Sequence, residues 1–206
     1  MTKKANGFLP KDYTPPATSE FTKLAEGDNK VRILSKPLIG RLWWIAPDGT
    51  LREKGTIQKG DKPVRIEYTD ELPEDIHELQ TKEFWMMEVW DYKAKAITIL
   101  EITQQTIIKS LNEYIISEDW GDPREYDINF KKQGSGKETK YFVMPSPQKE
   151  LSEDIKTAAQ ESNINLESFL TKNRKETDPF EGMDVKEVDE EDVDADPDAT
   201  GKNLPF

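Results

Sequence analysis

One segment of the chain has the periodicity of a long amphipathic helix, and short segments with β-strand character lie on both sides of it. Apolar residues recur at helical spacing from Ile107 to Ile115. Thr103 suits an N-cap, and the segment 120–123 ends the helix after about Glu118. A doubly wound α/β fold needs a helix after nearly every strand. The pattern therefore predicts a mainly β domain.

The strand-like segments are short, and turn residues separate them. Strands are predicted at 29–35 continuing through 38–45, at 64–68, 84–92 and 97–102, and after the helix at 126–132 and 137–144. The order of elements is that of a five-stranded OB-like barrel: a long strand, an insertion at 50–82, two strands, a helix and two strands. In that fold the helix lies between strands three and four. An SH3-like barrel is the competing small barrel, but it lacks a helix of this size.

Charge is distributed unevenly along the 206 residues, whose net charge is −12. Residues 176–206 hold 12 of the 41 acidic residues and only two lysines, so the rest of the chain is close to neutral. The composition predicts four parts, which are a flexible leader at 1–20, an OB-fold domain at 21–148, a short helical extension at 149–171, and a disordered acidic tail at 172–206.

Composition also excludes several classes of protein. The chain has no cysteine, which rules out disulfides and thiolate zinc sites and suits a reducing cytosol. No apolar run approaches the roughly 18 residues of a membrane span. We therefore expect a soluble cytoplasmic protein that needs neither a metal nor another cofactor and has no membrane partner.

Aromatic and cationic residues are interleaved on the predicted strands. Proteins that hold single-stranded nucleic acid use cations for the phosphates and aromatic faces for the bases. The candidate residues for this role are Arg32, Arg41, Trp43, Trp44, Trp90, Tyr92, Lys93 and Lys95. The competing interpretation is that each aromatic residue belongs to the barrel core.

The last predicted hairpin is the clearest cationic element. Its lysines surround a Gly-Ser-Gly tip, and a flexible basic finger of this kind can close over a phosphate backbone. The candidates here are Lys131, Lys132, Lys137, Lys140 and Tyr141. An ordinary solvated hairpin is the alternative.

The C-terminus combines an acidic run with an apolar tip. A terminal aromatic ring beside the α-carboxylate suits an apolar pocket with a basic rim on a partner protein. The proposed partner-binding residues are Asp192, Asp194, Asp196, Asp198, Leu204, Pro205 and Phe206. The acidic run can also steer the chain to basic partners and occupy its own DNA groove when DNA is absent.

Three segments resemble the single-stranded DNA-binding proteins of tailed bacteriophages, over about residues 20–150. They are the stretch from Phe21-Thr22-Lys23-Leu24 through Gly27 and Asn29 to Ser35, the stretch 99–104, and Asp119-Trp120-Gly121-Asp122-Pro123 leading into Tyr126-Asp127-Ile128. The tail is similar in kind to that of bacterial single-stranded DNA-binding proteins, which end in an acidic stretch closed by Pro-Phe.

The resemblance implies an OB fold and cooperative or dimeric coating of single strands. It also implies that the tail contacts replication and recombination proteins, and that this phage protein works in the cytoplasm of the bacterial host. One departure is that some phage members carry a Cys/His zinc site, which a chain without cysteine cannot build. Binding without sequence specificity during DNA replication, recombination or repair is the predicted function, with no catalysis.

Two other functions compete with this one. An acidic DNA mimic or adaptor would bind a DNA-binding protein through carboxylates spread over a folded face, whereas many carboxylates of this chain lie in its tail. A metal-dependent nuclease would need acids such as Glu88 and Asp91 to converge, and it ranks third.

Overall fold

The computed structural model describes residues 21–53 and 56–171. The described chain forms seven strands and two α-helices, and its strands make a single sheet. The strands are β1 (Gly27–Ile33), β2 (Leu38–Ile45), β3 (Lys62–Glu67), β4 (Lys82–Asp91), β5 (Ala96–Ile102), β6 (Asp127–Gln133) and β7 (Lys140–Pro145), and the helices are α1 (Gln105–Ile116) and α2 (Glu153–Glu161). The mainly β prediction is confirmed.

Strand β4 lies at the centre of the antiparallel sheet, which has the order β3-β2-β4-β1-β6-β7. The first half of β4 pairs with β2, and its last three residues pair with β1. The opposite edge of β4 pairs with β5 along most of its length. This arrangement places β1, β6 and β7 side by side at one end of the sheet.

The long first strand that the sequence predicts is two strands. The strand is interrupted at Ser35, where the amide N–H of Glu88 donates to the Ser35 hydroxyl instead of to a backbone carbonyl. Pro37, which has no N–H to donate, follows at once. The two strands still occupy the same edge of β4, one after the other.

The predicted closed five-stranded barrel is wrong, because the sheet is open. Among the described residues, the Phe21–Thr22 segment lies along the outer edge of β5, where the Thr22 N–H donates to the carbonyl of Ile99. On the edge strand β7, the Val143 carbonyl accepts a hydrogen bond from the hydroxyl of Tyr114 on α1. Helix and N-terminal segment therefore contact the edges that a barrel would join.

Helix α1 covers one face of the sheet, which we call the first face. The order of two strands, this helix and two strands agrees with the prediction. Its N-cap is Gln104 rather than the predicted Thr103, and its apolar side buries Ile107, Ile108 and Leu111. These side chains share a core with alternate residues of the strands, among them Val31, Val89, Leu100, Ile128, Phe130 and Val143.

The described residues cover only part of the opposite face, which we call the second face. Phe169 and Leu170 of the C-terminal extension pack there with Leu42, Phe84, Met86 and Ile99 in a second core. Phe21 contacts Phe169 edge-on, with ring centroids 5.4 Å apart. In the described ranges no helix is long and apolar enough to cross a membrane.

Candidate nucleic-acid interface

The part of the second face that the extension leaves uncovered lies on β1, β6, β7 and the end of β4. Alternation along the strands places nine side chains on it, because Phe130 and Val143 point into the first core and their neighbours point the other way. We call this area the open surface, and its residues are Asp28, Lys30, Tyr92, Asn129, Lys131, Gln133, Lys140, Phe142 and Met144.

Register places these residues in rows across the strands. Lys131 on β6 is opposite Phe142 on β7, and Asn129 is opposite Met144. Lys30 on β1 is opposite Asn129 on its other side. Directly opposite residues have Cβ atoms about 4.5–5.5 Å apart, so Lys131 lies between Phe142 on β7 and Asp28 on β1.

Phe142 and Met144 give the open surface its apolar character. Their exposed fractions are 45% and 40%, which is high for large apolar residues inside a strand. Lys131, Phe142 and Met144 also line a groove of about 460 Å³ at the edge of the sheet. An aromatic ring and a thioether exposed between ammonium groups can bind a ligand that is both flat and anionic.

Arg32 is predicted to contact phosphate, but the structure buries it to 2% exposure. Its Nε donates to the Asp127 carboxylate at 2.7 Å, and its two terminal nitrogens donate to the carbonyls of Arg124 and Lys149. Every nitrogen of the guanidinium therefore has a partner inside the fold. Arg32 is a structural residue that joins β1 to β6 and to the start of the extension.

Asp127 collects three donors at the border of the open surface. Burial raises the pKa of this carboxyl group, but hydrogen bonds from Lys30, Arg32 and Tyr92 outweigh burial and hold the pKa below its usual value of 3.8. The Tyr92 hydroxyl donates to Oδ1 at 2.9 Å. Burial and this contact with the carboxylate raise the pKa of Tyr92 to about 12, so it remains a neutral donor at pH 7.

The β4–β5 turn adds two exposed lysines beside Tyr92. The Asp91 carboxylate accepts hydrogen bonds from the N–H groups of Lys93 and Ala94, which fixes the start of the turn. Lys95 takes a left-handed backbone conformation with φ of 54°. The predicted hairpin is confirmed, and it extends both lysine side chains into solvent.

Five other predicted residues lie away from the open surface. Lys132 and Tyr141 are opposite one another on the first face, and Tyr141 packs against the core there. Trp43 is buried, and Trp44 packs against the second core. Arg41 lies on β2, where its guanidinium stacks on Tyr68 at 4.7 Å and approaches Glu78.

Trp90 occupies an intermediate position. It is on the second face and half-buried, opposite the buried Arg32 in the register of β1 and β4. The structure therefore brings Trp90, Tyr92, Lys93, Lys95, Lys131 and Lys140 together at one end of the sheet. The side chain of Lys137, the leader at 1–20 and the proposed tail residues 192–206 lie outside the described residues.

Sequence reasoning missed Lys30, Phe142 and Met144 as site residues. Lys30 and Arg32 alternate with apolar residues on one strand, so the pattern alone could not tell which of the two is exposed. Phe142 and Met144 alternate with Tyr141 and Val143 in the same way. The signal that could have found them is their strict alternation after Lys140, which puts all three on the same face.

The acidic residues of the nuclease alternative do not converge. Glu88 is on the second face, where its carboxylate accepts a hydrogen bond from Ser162 of the extension. Asp91 is an odd number of residues away along β4 and points to the other side. Among the described residues no group of three His, Asp or Glu side chains could hold a metal ion.

Comparisons with protein-family models, with curated proteins and with solved structures found no match to this chain. Function must therefore be inferred from the side chains themselves. The open surface is the described region where cations and exposed apolar groups meet on ordered strands.

Proposed function

We propose that this protein binds single-stranded DNA without sequence specificity, on the open surface. The observation that carries the proposal is the exposure of Phe142 and Met144 on a strand whose neighbour carries Lys131 directly opposite. Stacking of bases on aromatic side chains tolerates any sequence, because every base has a π-face. The lysines supply the phosphate contacts.

The size of the open surface limits how much DNA it can hold. Tyr92 and Phe142 are three strands and one row apart, which is about 16 Å at ordinary strand spacing. At about 3.4 Å per nucleotide, the spacing of a stacked strand, this is room for four or five nucleotides. Lys93 and Lys95 extend the cationic path beyond the end of β4.

A single strand suits this surface better than a duplex does. The apolar side chains are exposed on the face of the sheet, where unstacked bases can reach them, whereas the bases of a duplex face inward. Lys131 and Lys140 then contact the phosphates of the same strand. We infer that the protein coats and protects single strands during phage DNA replication, recombination or repair in the bacterial cytoplasm.

The tail completes the proposal. An acidic segment closed by Leu204-Pro205-Phe206 can bind replication and recombination proteins through a basic-rimmed apolar pocket. Since DNA binding and recruitment are assigned to different parts of the chain, they should be separable. Deleting residues 176–206 should leave DNA affinity unchanged or higher and abolish recruitment.

The test is a fluorescence titration of the full chain with labelled oligo-dT of about 30 nucleotides and with duplex of equal length, at 50 and 200 mM salt. We expect tight binding to the single strand only. For each phosphate contact, the logarithm of the affinity should fall by about 0.7 when the logarithm of the salt concentration rises by one. Failure to bind either nucleic acid would refute the proposal and favour the acidic mimic or adaptor.

A matched pair of double variants locates the site. Lys131→Ala with Lys140→Ala removes two lysines of the open surface and should flatten the salt dependence. Lys59→Ala with Lys109→Ala removes the same charge from exposed positions elsewhere and should leave the slope unchanged. Equal slopes for both variants would place the DNA on another surface.

A further inference from the structure

The ammonium group of Lys30 contacts two side chains, the Asp127 carboxylate and the Tyr92 ring. Its Nζ lies 2.9 Å from Oδ2 of Asp127 and 4.6 Å from the centre of the Tyr92 ring. The Lys30 side chain is nonetheless 48% exposed, whereas that of Asp127 is 6% exposed. The ammonium group thus forms a cap on the tyrosine ring at the surface of the protein.

The cluster of Arg32, Lys30 and Asp127 has one net positive charge. Asp127 carries one negative charge, and both Arg32 and Lys30 bond to it. Arg32 is almost completely buried and donates to the carboxylate through Nε, so it balances the charge of Asp127 inside the fold. The second cation, Lys30, is therefore not needed to compensate the buried charge.

Two contacts that do not involve the Lys30 ammonium group hold Tyr92. Its hydroxyl donates to Oδ1 of Asp127, the oxygen that Arg32 also contacts, while Lys30 contacts Oδ2. Its backbone N–H is bonded to the carbonyl of Lys30 on β1. The ring is held from both ends, and removing the ammonium group would uncover it without moving it.

We propose that Lys30 is a phosphate-binding residue that caps Tyr92 until a single strand arrives, and then moves to a backbone phosphate while a base stacks on the uncovered ring. The inference rests on the proposed function and adds to it both a contact residue and an order of events. The motion breaks one ion pair and one exposed cation–π contact, and the Asp127 carboxylate keeps its hydrogen bonds from Arg32 and Tyr92.

The first measurement uses the unmodified full chain and follows the Lys30 side-chain methylene signals by NMR. In the free protein the Tyr92 ring current shields them. Oligo-dT should shift them towards ordinary lysine values, and an abasic oligonucleotide, which has phosphates without bases, should do the same. Oligo-dT should shift the Tyr92 ring signals further than the abasic oligonucleotide does, because only oligo-dT has bases that stack on the uncovered ring.

The second measurement compares Lys30→Ala and Lys30→Gln with Lys109→Ala, an exposed lysine on α1. The Lys30 variants should bind oligo-dT about three- to tenfold more weakly at 50 mM salt, with a log–log salt slope smaller by about 0.7. Lys109→Ala should match the parent chain.

The outcomes separate the two proposals. If the parent chain binds oligo-dT but its Lys30 signals stay shielded and the Lys30 variants keep the parent slope, the cap is refuted and DNA binding stands. If the parent chain does not bind single strands at all, the proposed function itself fails.

Discussion

Arg32 and Asp127 are opposite one another on β1 and β6, with Nε 2.7 Å from Oδ1 and both side chains buried. This ion pair stands between the open surface and the carbonyls of Arg124 and Lys149, which Arg32 also binds. A pair of buried charges compensates its own desolvation only while both members are present. It is therefore a point where the fold is sensitive to a single change.

Asp127→Asn should lower the free energy of unfolding by about 3 kcal/mol, because it leaves the Arg32 guanidinium buried without a counter-charge. Glu153→Gln, which breaks an exposed pair with Lys156, should change it by less than about 1 kcal/mol. Urea unfolding at pH 7 measures both. A similar small effect for the two variants would show that the buried pair contributes nothing special.

The same pair predicts a pH dependence of stability. The pKa of Asp127 is lower in the folded protein than its usual 3.8, so the unfolded chain takes up a proton first as the pH falls. The stabilisation is complete above about pH 5 and is lost progressively below it. Unfolding measured from pH 7 to 3 should show the difference between the parent chain and Asp127→Asn shrinking below pH 5. A constant difference would contradict the lowered pKa.

Gly40→Ala should destabilise the fold by about 3 kcal/mol or more. A Cβ at this position would overlap the Ile66 carbonyl oxygen and lie 2.6 Å from the Phe84 ring, and a packed sheet cannot yield that much space. Gly27→Ala is the control, since its φ of 88° is strained but its surroundings are open, at a cost of about 1–2 kcal/mol. Thermal unfolding should rank Gly40→Ala well below Gly27→Ala, and the reverse order would contradict the close packing.

Ending the chain after Gln148 should destabilise it, whereas ending it after Thr171 should not. The shorter chain loses Phe169 and Leu170, whose burial contributes about 1.5–3 kcal/mol each, and it exposes the second core. The longer chain loses only residues outside the described fold. Equal urea midpoints for the two chains would show that the extension is not part of the cooperative unit.

Periodicity predicted the strands and the helix well, but it could not predict which strands pair with one another. Strands β4 to β7 and helix α1 lie close to their predicted ranges, because their apolar alternation and helical spacing are local properties. Closure of the barrel depends on whether β5 and β7 meet. The Tyr114 hydroxyl on the edge of β7 is a long-range contact that no local pattern shows.

The sequence predicted which types of residue form the candidate site better than it predicted which individual residues belong to it. Trp43 and Trp44 are candidate stacking residues by composition, yet both lie on β2, far from the lysines of β6. Arg32 and Lys30 are equivalent in the sequence. Asp127 contacts both of them, and what distinguishes the buried arginine is its contact with the carbonyls of Arg124 and Lys149, which are distant in the sequence.

Phe142→Ala should weaken binding to oligo-dT about five- to a hundredfold, because loss of one stacking side chain costs about 1–3 kcal/mol. Phe142 is nearly half exposed, so the free energy of unfolding should change little and the effect can be assigned to binding. Tyr68→Ala is the matched control, as Tyr68 is an exposed aromatic residue near the opposite end of the sheet. Fluorescence titration of both variants at 50 mM salt measures the difference. If Tyr68→Ala weakened binding and Phe142→Ala did not, the DNA would lie across β2 and β3, and the open surface would lose its proposed role.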